Sequence, residues 1–403
     1  MTKNNSNINI LNESSANFSR RKFVKMAGSS LALLSFPMSS VFAFEANNNV
    51  RSNPKIVWVM LRGALDSLHT IVPTFDTQLK NLRPKLFTSF KGPLLPLEKG
   101  FALHPSLKNL HQWYQEKALL PIVAVTSGYQ QRSHFDGQDF LESGKSEIDH
   151  DSGWLARASD SKAKRALAVS RSTPISLRSG KQVNTWYPSK LKSADDDIYN
   201  QLNKLYQTDA MLRESLESGL AVRGLVETDK TKKNKRQGQF IDLMKACAKL
   251  LSNKDERIDC AMLELGGWDT HNNQSNRLEK KFDELDQGLA ELKQGLGSEW
   301  QNTVVVIGTE FGRTVKENGT GGTDHGTASA LFLAGGAVRG GKVLGEWPGL
   351  STGQLFEQRD LMPTSNSYGW IGNVLAQHWQ LSSQELKQVF PKVEVYNEVL
   401  IKT

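Results

Sequence analysis

The chain has 403 residues, 38% of them hydrophobic and 23% charged, with a formal net charge of +8 and only two cysteines. That length and apolar content supply a full hydrophobic core, and two cysteines exclude a disulfide-built scaffold. The first 43 residues hold five basic side chains and one acid, so the remainder carries only +4, too weak a field to mark a nucleic-acid binder.

Those 43 residues read as an export address. Ser19-Arg20-Arg21-Lys22-Phe23-Val24-Lys25 is a twin-arginine segment, Met26 to Phe36 is a short apolar stretch, and Val41-Phe42-Ala43 offers small residues for cleavage. The apolar stretch falls short of the roughly 20 residues that span a bilayer. The expected partner is therefore the twin-arginine export machinery, with a mature chain that is exported folded, is periplasmic or secreted, and has no transmembrane segment. Residues 44–53 read as a flexible linker and 54–403 as a single domain.

Taken in order, the mature chain alternates strand and helix. Ile56–Leu61 is an unbroken apolar run, as in a buried central strand. Leu107–Trp113 reads as a helix with Ser106 as N-cap, and Pro121–Val125 as a second buried strand. Ala166–Ser170 and Ile175–Leu177 are weaker strand candidates. The stretch 195–226 has helical spacing, Lys230–Arg236 is a basic run with no interleaved aromatics and reads as a solvated loop, and Gln239–Leu251 is an amphipathic helix. Arg257–Leu265 reads as a strand, Asn276–Leu296 as a helix and Thr303–Ile307 as a strand. This alternation predicts an α/β fold, a mostly parallel central sheet with helices on both faces. Cys247 and Cys260 read as small buried hydrophobes, with one disulfide between them as the alternative.

Three apolar runs lead into acids or histidines. Met262–Leu265 precedes Asp269 and His271, Val304–Ile307 precedes Glu310, and Asp324–His325 stands just before Leu331–Leu333. In open α/β sheets the carboxyl ends of strands converge on one crevice, and oxygen and imidazole donors suit zinc or another divalent ion. Several of the candidate residues have a structural alternative, whereas His325, in a small-residue loop between Gly322 and Gly326, reads as a ligand. Asp269 and His271 suit local capping, Glu310 suits a turn pair with Arg313, Asp66 suits a helix cap through Ser67-Leu68, and Ser133 suits the N-cap of the Phe135–Leu141 segment.

Five blocks carry a resemblance beyond periodicity: Leu61–Asp66, Arg132–Asp139, Gly266–His271, Thr309–Thr314 and Gly322–Thr327. In this order they resemble the bacterial family called domain of unknown function 1501, itself similar to the alkaline-phosphatase-like superfamily of phosphatases, sulfatases and phosphodiesterases. The resemblance implies an α/β/α sandwich with a metal centre of one or two divalent ions, zinc first, with manganese or calcium as alternatives. It implies metal ligands at Asp66, Asp269, His271, Glu310, Asp324 and His325, and a nucleophile at Ser133, with Thr126 and Ser127 as competitors. His134 would be a ligand or general acid, and Arg132 or Arg313 would neutralise the non-bridging oxygens of a phosphate or sulfate ester. No Cys/Ser-x-Pro-x-Arg segment occurs, so a formylglycine sulfatase is disfavoured. The alternative is a non-catalytic periplasmic or surface protein of the same fold, serving binding or assembly of an envelope component.

Overall fold

A computed structural model describes residues 53–188, 196–227 and 239–402. The export segment and the Lys230–Arg236 run lie outside the described residues. Eleven strands follow one another: β1 (Lys55–Arg62), β2 (Ile71–Pro73), β3 (Leu95–Pro96), β4 (Phe101–Leu103), β5 (Leu119–Thr126), β6 (Arg165–Ala168), β7 (Val183–Thr185), β8 (Ile258–Gly266), β9 (Thr303–Gly308), β10 (Ser329–Ala334) and β11 (Ser365–Asn366). Eight form one sheet in the order β11-β5-β10-β9-β1-β8-β6-β7, and β2, β4 and β3 form a small second sheet. Strand β10 runs antiparallel to both β5 and β9, whereas β1/β8, β1/β9, β6/β8, β6/β7 and β11/β5 are parallel. One consequence positions the site. The carboxyl ends of β5, β9, β1 and β8 and the amino end of the reversed β10 all lie along the same edge.

The core follows from the two-residue period of β1. Val57, Val59 and Leu61 pack on one face with the helices Lys108–Gln115, Gln239–Ser252 and Gln274–Leu296. Ile56, Trp58 and Met60 pack on the other with Trp154–Ser161, Ser367–His378 and Ser383–Val389. Every side chain of β1 before Arg62 is buried, so each large apolar residue here contributes about 1.5–3 kcal/mol. Sequence reading and structure agree on a mostly parallel sheet covered on both faces.

Local departures have identifiable causes. Ile175–Leu177 is a 3-10 turn and not a strand, because Pro174 precedes it and the Ser176 N–H donates to the buried Glu142 carboxylate at 2.9 Å. The helical stretch from 195 to 226 divides into Asp196–Leu205 and Ala210–Glu227, where the Asp209 side chain accepts from Leu212 N at 3.1 Å. Ser106 does not cap its helix. That job falls to Asp286, whose carboxylate accepts from Asn109 N and Leu110 N at 3.0 and 2.9 Å. Cys247 and Cys260 are both free and buried, which removes the disulfide alternative. Among the described residues, no helix is long and apolar enough to cross a membrane.

Candidate metal centre

Three imidazoles and one carboxylate meet at the shared edge. His134 opens the His134–Ser143 helix after β5, Asp269 and His271 follow β8, and His325 precedes β10. Ligand atoms of His134, Asp269 and His325 lie within 4.8 Å of one another. His325 Nε2 is 3.0 Å from His134 Nε2 and 3.0 Å from His271 Nε2. Asp269 spans the group, with Oδ1 at 2.9 Å from His271 Nε2 and 3.3 Å from His325 Nε2, and Oδ2 at 3.4 Å from His134 Nε2.

The other nitrogen of each ring decides what this convergence means. His134 Nδ1 lies 2.8 Å from Glu310 Oε1, His325 Nδ1 is 2.9 Å from the Arg132 carbonyl oxygen, and His271 Nδ1 is 3.1 Å from Asp324 Oδ1. A carbonyl or carboxylate only accepts, so each Nδ1 donates, and in the neutral rings each Nε2 presents a lone pair. Lone pairs 3.0 Å apart beside a carboxylate repel unless a positive charge sits among them. The separations of 2.9–3.4 Å lie around the edge of about 3.3 Å of a tetrahedron with 2.0–2.1 Å metal–nitrogen bonds. These side chains therefore fit a zinc-like cation.

The titration tendencies follow the same logic. Burial alone would lower the His134 pKa, but the Glu310 and Asp269 carboxylates raise it above the usual value. Burial and the charges of His134 and Arg313 keep His325 low, against the Arg132 carbonyl and Asp269. Asp269 is driven up by burial yet ends below the ordinary carboxylate value because Arg313 donates to it at 2.7 Å. Glu310 is fully buried, and the His134 hydrogen bond still holds it below its usual value.

The remaining expected residues fall in varied places. Glu310 Oε1 accepts from Gly63 N, His134 Nδ1 and Gln138 Nε2, and Oε2 accepts from Thr309, so it grips a ring and does not face the Nε2 cluster. Asp324 likewise contacts the far side of His271. Asp66 caps the turn after β1 through Leu68 N and is clamped by Arg83 at 2.7 and 2.9 Å. Its contacts among the described residues include no imidazole of the cluster. Ser133 Oγ accepts from Asp136 N at 3.5 Å as the helix N-cap. Thr126 Oγ1 accepts from Gly128 N, and Ser127 Oγ donates to the Glu310 carbonyl. Arg132 and Arg313, expected to face the non-bridging oxygens, are instead committed to acids: Arg132 to Asp360 and Glu357, Arg313 to Asp269.

Three residues that pattern did not reveal complete the frame. Asp360 is fully buried and accepts from Arg132, Thr327 and Arg359, while Arg359 also donates to the His325 carbonyl at 2.9 Å. His325 is thus held from both ends by arginines anchored on one carboxylate. Gln138 links Glu310 to Arg62; four residues past His134, it shares that helix face, a signal available in the sequence. Gly63 has φ +121°, and a Cβ there would lie 2.5 Å from the Asp269 amide nitrogen. Gly63→Ala is expected to cost about 1–3 kcal/mol through backbone strain and to weaken metal affinity about tenfold by displacing Asp269, read by urea unfolding and chelator competition.

An α/β sheet with an imidazole–carboxylate cluster at its carboxyl edge is the class these observations define. The chain belongs to the family described as protein of unknown function (DUF1501), which matches residues 124–390. No curated protein sequence matches it. Solved structures similar to it include human ectonucleotide pyrophosphatase/phosphodiesterase 5, at 10% identity and a TM-score of 0.31 over 64% of this chain and 57% of that one. Others are an alkaline phosphatase from the Antarctic bacterium TAB5 (12% identity, TM-score 0.34, 70% of this chain and 91% of that one) and the zinc complex of the C-terminal periplasmic domain of EcEptC from Escherichia coli (9%, 0.36, 70% and 72%).

Proposed function

We propose that this chain is an exported, metal-dependent hydrolase of a phosphate or sulfate ester. The observation that carries the reading is the convergence of three Nε2 lone pairs and Asp269, with every Nδ1 already bonded to an acceptor. His134, His325 and Asp269 would hold the ion, His271 would join from the Asp269 Oδ1 side, and Glu310, Asp324 and the Arg132 carbonyl would orient the rings. A divalent cation at this point polarises an ester oxygen and lowers the pKa of a hydroxyl or water beside it. Both nitrogens of His134 are committed, which favours ligation over proton donation. Arg313 keeps Asp269 ionised. The N–H groups at the start of the His134–Ser143 helix suit a non-bridging oxygen, a role the acid-bound arginines are poorly disposed to fill.

Ser133, adjacent to His134, is the proposed nucleophile. Its Oγ would bond to phosphorus or sulfur, the alcohol would leave with a proton, and water would then cleave the covalent ester. Zinc-loaded protein is expected to hydrolyse a chromogenic phosphate or sulfate ester, and Ser133→Ala to lower kcat/KM by more than about 1000-fold. Retained activity in Ser133→Ala would replace the covalent step by direct attack of water. Failure of the loaded wild type on every phosphate and sulfate ester would end the hydrolase reading. Export by the twin-arginine route, which delivers folded chains, suits a protein that takes up its ion before leaving the cytoplasm.

A further inference from the structure

A permanent cation is already built against the cluster. The Arg313 side chain is fully buried, and each of its three nitrogens has an oxygen acceptor. Nη1 donates to Asp269 Oδ1 at 2.7 Å, Nε to Thr323 Oγ1 at 3.2 Å, and Nη2 to the Thr323 carbonyl. Asp269 Oδ1 is also the oxygen that lies 2.9 Å from His271 Nε2 and 3.3 Å from His325 Nε2. One carboxylate oxygen therefore faces both the guanidinium and the space among the imidazoles. Two-ion centres set two positive charges close together, and here a planar side chain supplies one of them. Backbone pairing holds it in place. Arg313 and His325 face each other across an antiparallel bridge, with Gly312 N donating to the Thr327 carbonyl at 3.0 Å and Gly326 N to the Gly312 carbonyl at 2.8 Å. A Cβ on Gly326 would lie 2.4 Å from the Arg313 carbonyl carbon, so glycine is what lets the two segments come this close.

Arginine keeps its charge in a folded protein, so Arg313 enters the charge balance as a constant. Asp269, Glu310 and Asp324, the acids that touch the imidazoles, bring three negative charges. Arg313 neutralises one of them, and a single divalent ion the other two. Neighbouring ionic groups balance among themselves: Asp66 with Arg83, Glu264 with Arg62, and Asp360 and Glu357 with Arg132 and Arg359. A second divalent ion would leave two positive charges without a counter-charge, which a partly buried site disfavours. The available donors point the same way. Among the described residues, His134, Asp269 and His325 are the one group of three possible ligands close enough to hold an ion. Asp66 gives its oxygens to Arg83, Leu68 N and Gln274. Gln274 in turn accepts from Thr323 Oγ1 at 2.7 Å, which joins the Asp66–Arg83 pair to the pocket around Arg313. Two acids expected as ligands, Asp66 and Asp269, are thus each met by a buried guanidinium.

We infer that the centre takes one divalent ion and that Arg313 holds the place of a second, as a fixed cation sharing Asp269 with the first. This rests on the metal-centre reading above. In the test, chelator-stripped full chain is titrated with zinc against a competing chelator, and bound ions are counted by native mass spectrometry. One zinc per chain is expected even in excess zinc. Arg313→Lys, which keeps a cation, is expected to stay at one. Arg313→Ala removes the guanidinium and leaves Asp269 Oδ1, the Thr323 carbonyl and the Thr323 hydroxyl around the vacated space, an all-oxygen set suited to manganese. With manganese in excess, that variant is expected to hold two ions where wild type holds one, and electron paramagnetic resonance should show the two coupled. Two ions in wild type, or only one in folded Arg313→Ala, would overturn the inference and leave the metal-centre reading standing. No ion in wild type would end both. If Arg313→Ala does not fold, the wild-type count alone decides.

Discussion

Replacing His325 with alanine is expected to abolish zinc binding while leaving the metal-free chain at least as stable as wild type. His325 Nε2 is the centre of the cluster, 3.0 Å from two other imidazole nitrogens, so its removal eliminates a ligand and also relieves lone-pair repulsion in the metal-free state. Loss of an orienting partner outside the ligands usually weakens affinity 10–100-fold; loss of the central ligand should exceed about 100-fold. Asp269→Asn should behave similarly and has the advantage of leaving an oxygen acceptor for the buried Arg313 guanidinium. Unfolding experiments reveal the double effect. With zinc at 1000 times the wild-type Kd, wild type gains about 4 kcal/mol, whereas a variant weakened 100-fold or more should gain no more than about 1.4 kcal/mol. A His325→Ala chain that is much less stable than wild type in chelator, or that still takes up zinc with unchanged affinity, would contradict this account of the cluster.

Arg83→Ala is expected to cost about 3–5 kcal/mol, the usual penalty for leaving one partner of a buried ion pair alone. Both members are almost fully buried, and the shorter contact is 2.7 Å. Arg83 also donates to the Val315 carbonyl at 2.6 Å and to the Thr314 carbonyl at 2.7 Å, tying the first strand's turn to the loop after β9. The pH dependence has a definite sign. Burial pushes the Asp66 carboxyl up, but Arg83 beside it draws it below the ordinary value. A carboxyl lowered by folding contributes fully above its unfolded pKa of about 3.9. That contribution disappears as pH falls through the lowered folded value. Urea unfolding between pH 7 and pH 2 should show wild type losing this increment on acidification, whereas Arg83→Ala should lack it throughout. Replacing both residues with apolar side chains of similar volume should restore much of the loss.

The strands were legible wherever burial on both faces leaves an unbroken apolar run, as in Ile56–Leu61 and Val304–Ile307, because a central parallel strand has no solvent side to mark with polar residues. Gathering of Asp269, His271 and His325 at one edge could be anticipated from acids and histidines that follow or precede such runs. What each residue does there was not legible. Glu310 and Asp324 look like ligands in sequence, yet they accept from the far nitrogens of His134 and His271, a distinction made by ring orientation and not by spacing. Asp66 serves Arg83, seventeen positions away in a segment with no motif. Asp360 acts partly through the backbone carbonyl of Arg132, which leaves no side-chain pattern to read. Ser106 resembles an N-cap by residue type, but a carboxylate from Asp286 reached the helix start instead.

The most direct test is nitrogen-detected NMR of the histidine side chains in stripped protein, before and after one equivalent of zinc. The expected result is a large shift of the Nε2 resonances of His134, His271 and His325, with each Nδ1 keeping its proton toward Glu310, Asp324 and the Arg132 carbonyl. Unchanged Nε2 signals, with the missing positive charge supplied only by a proton on His134, would contradict the metal-centre account and leave the fold with no catalytic cation.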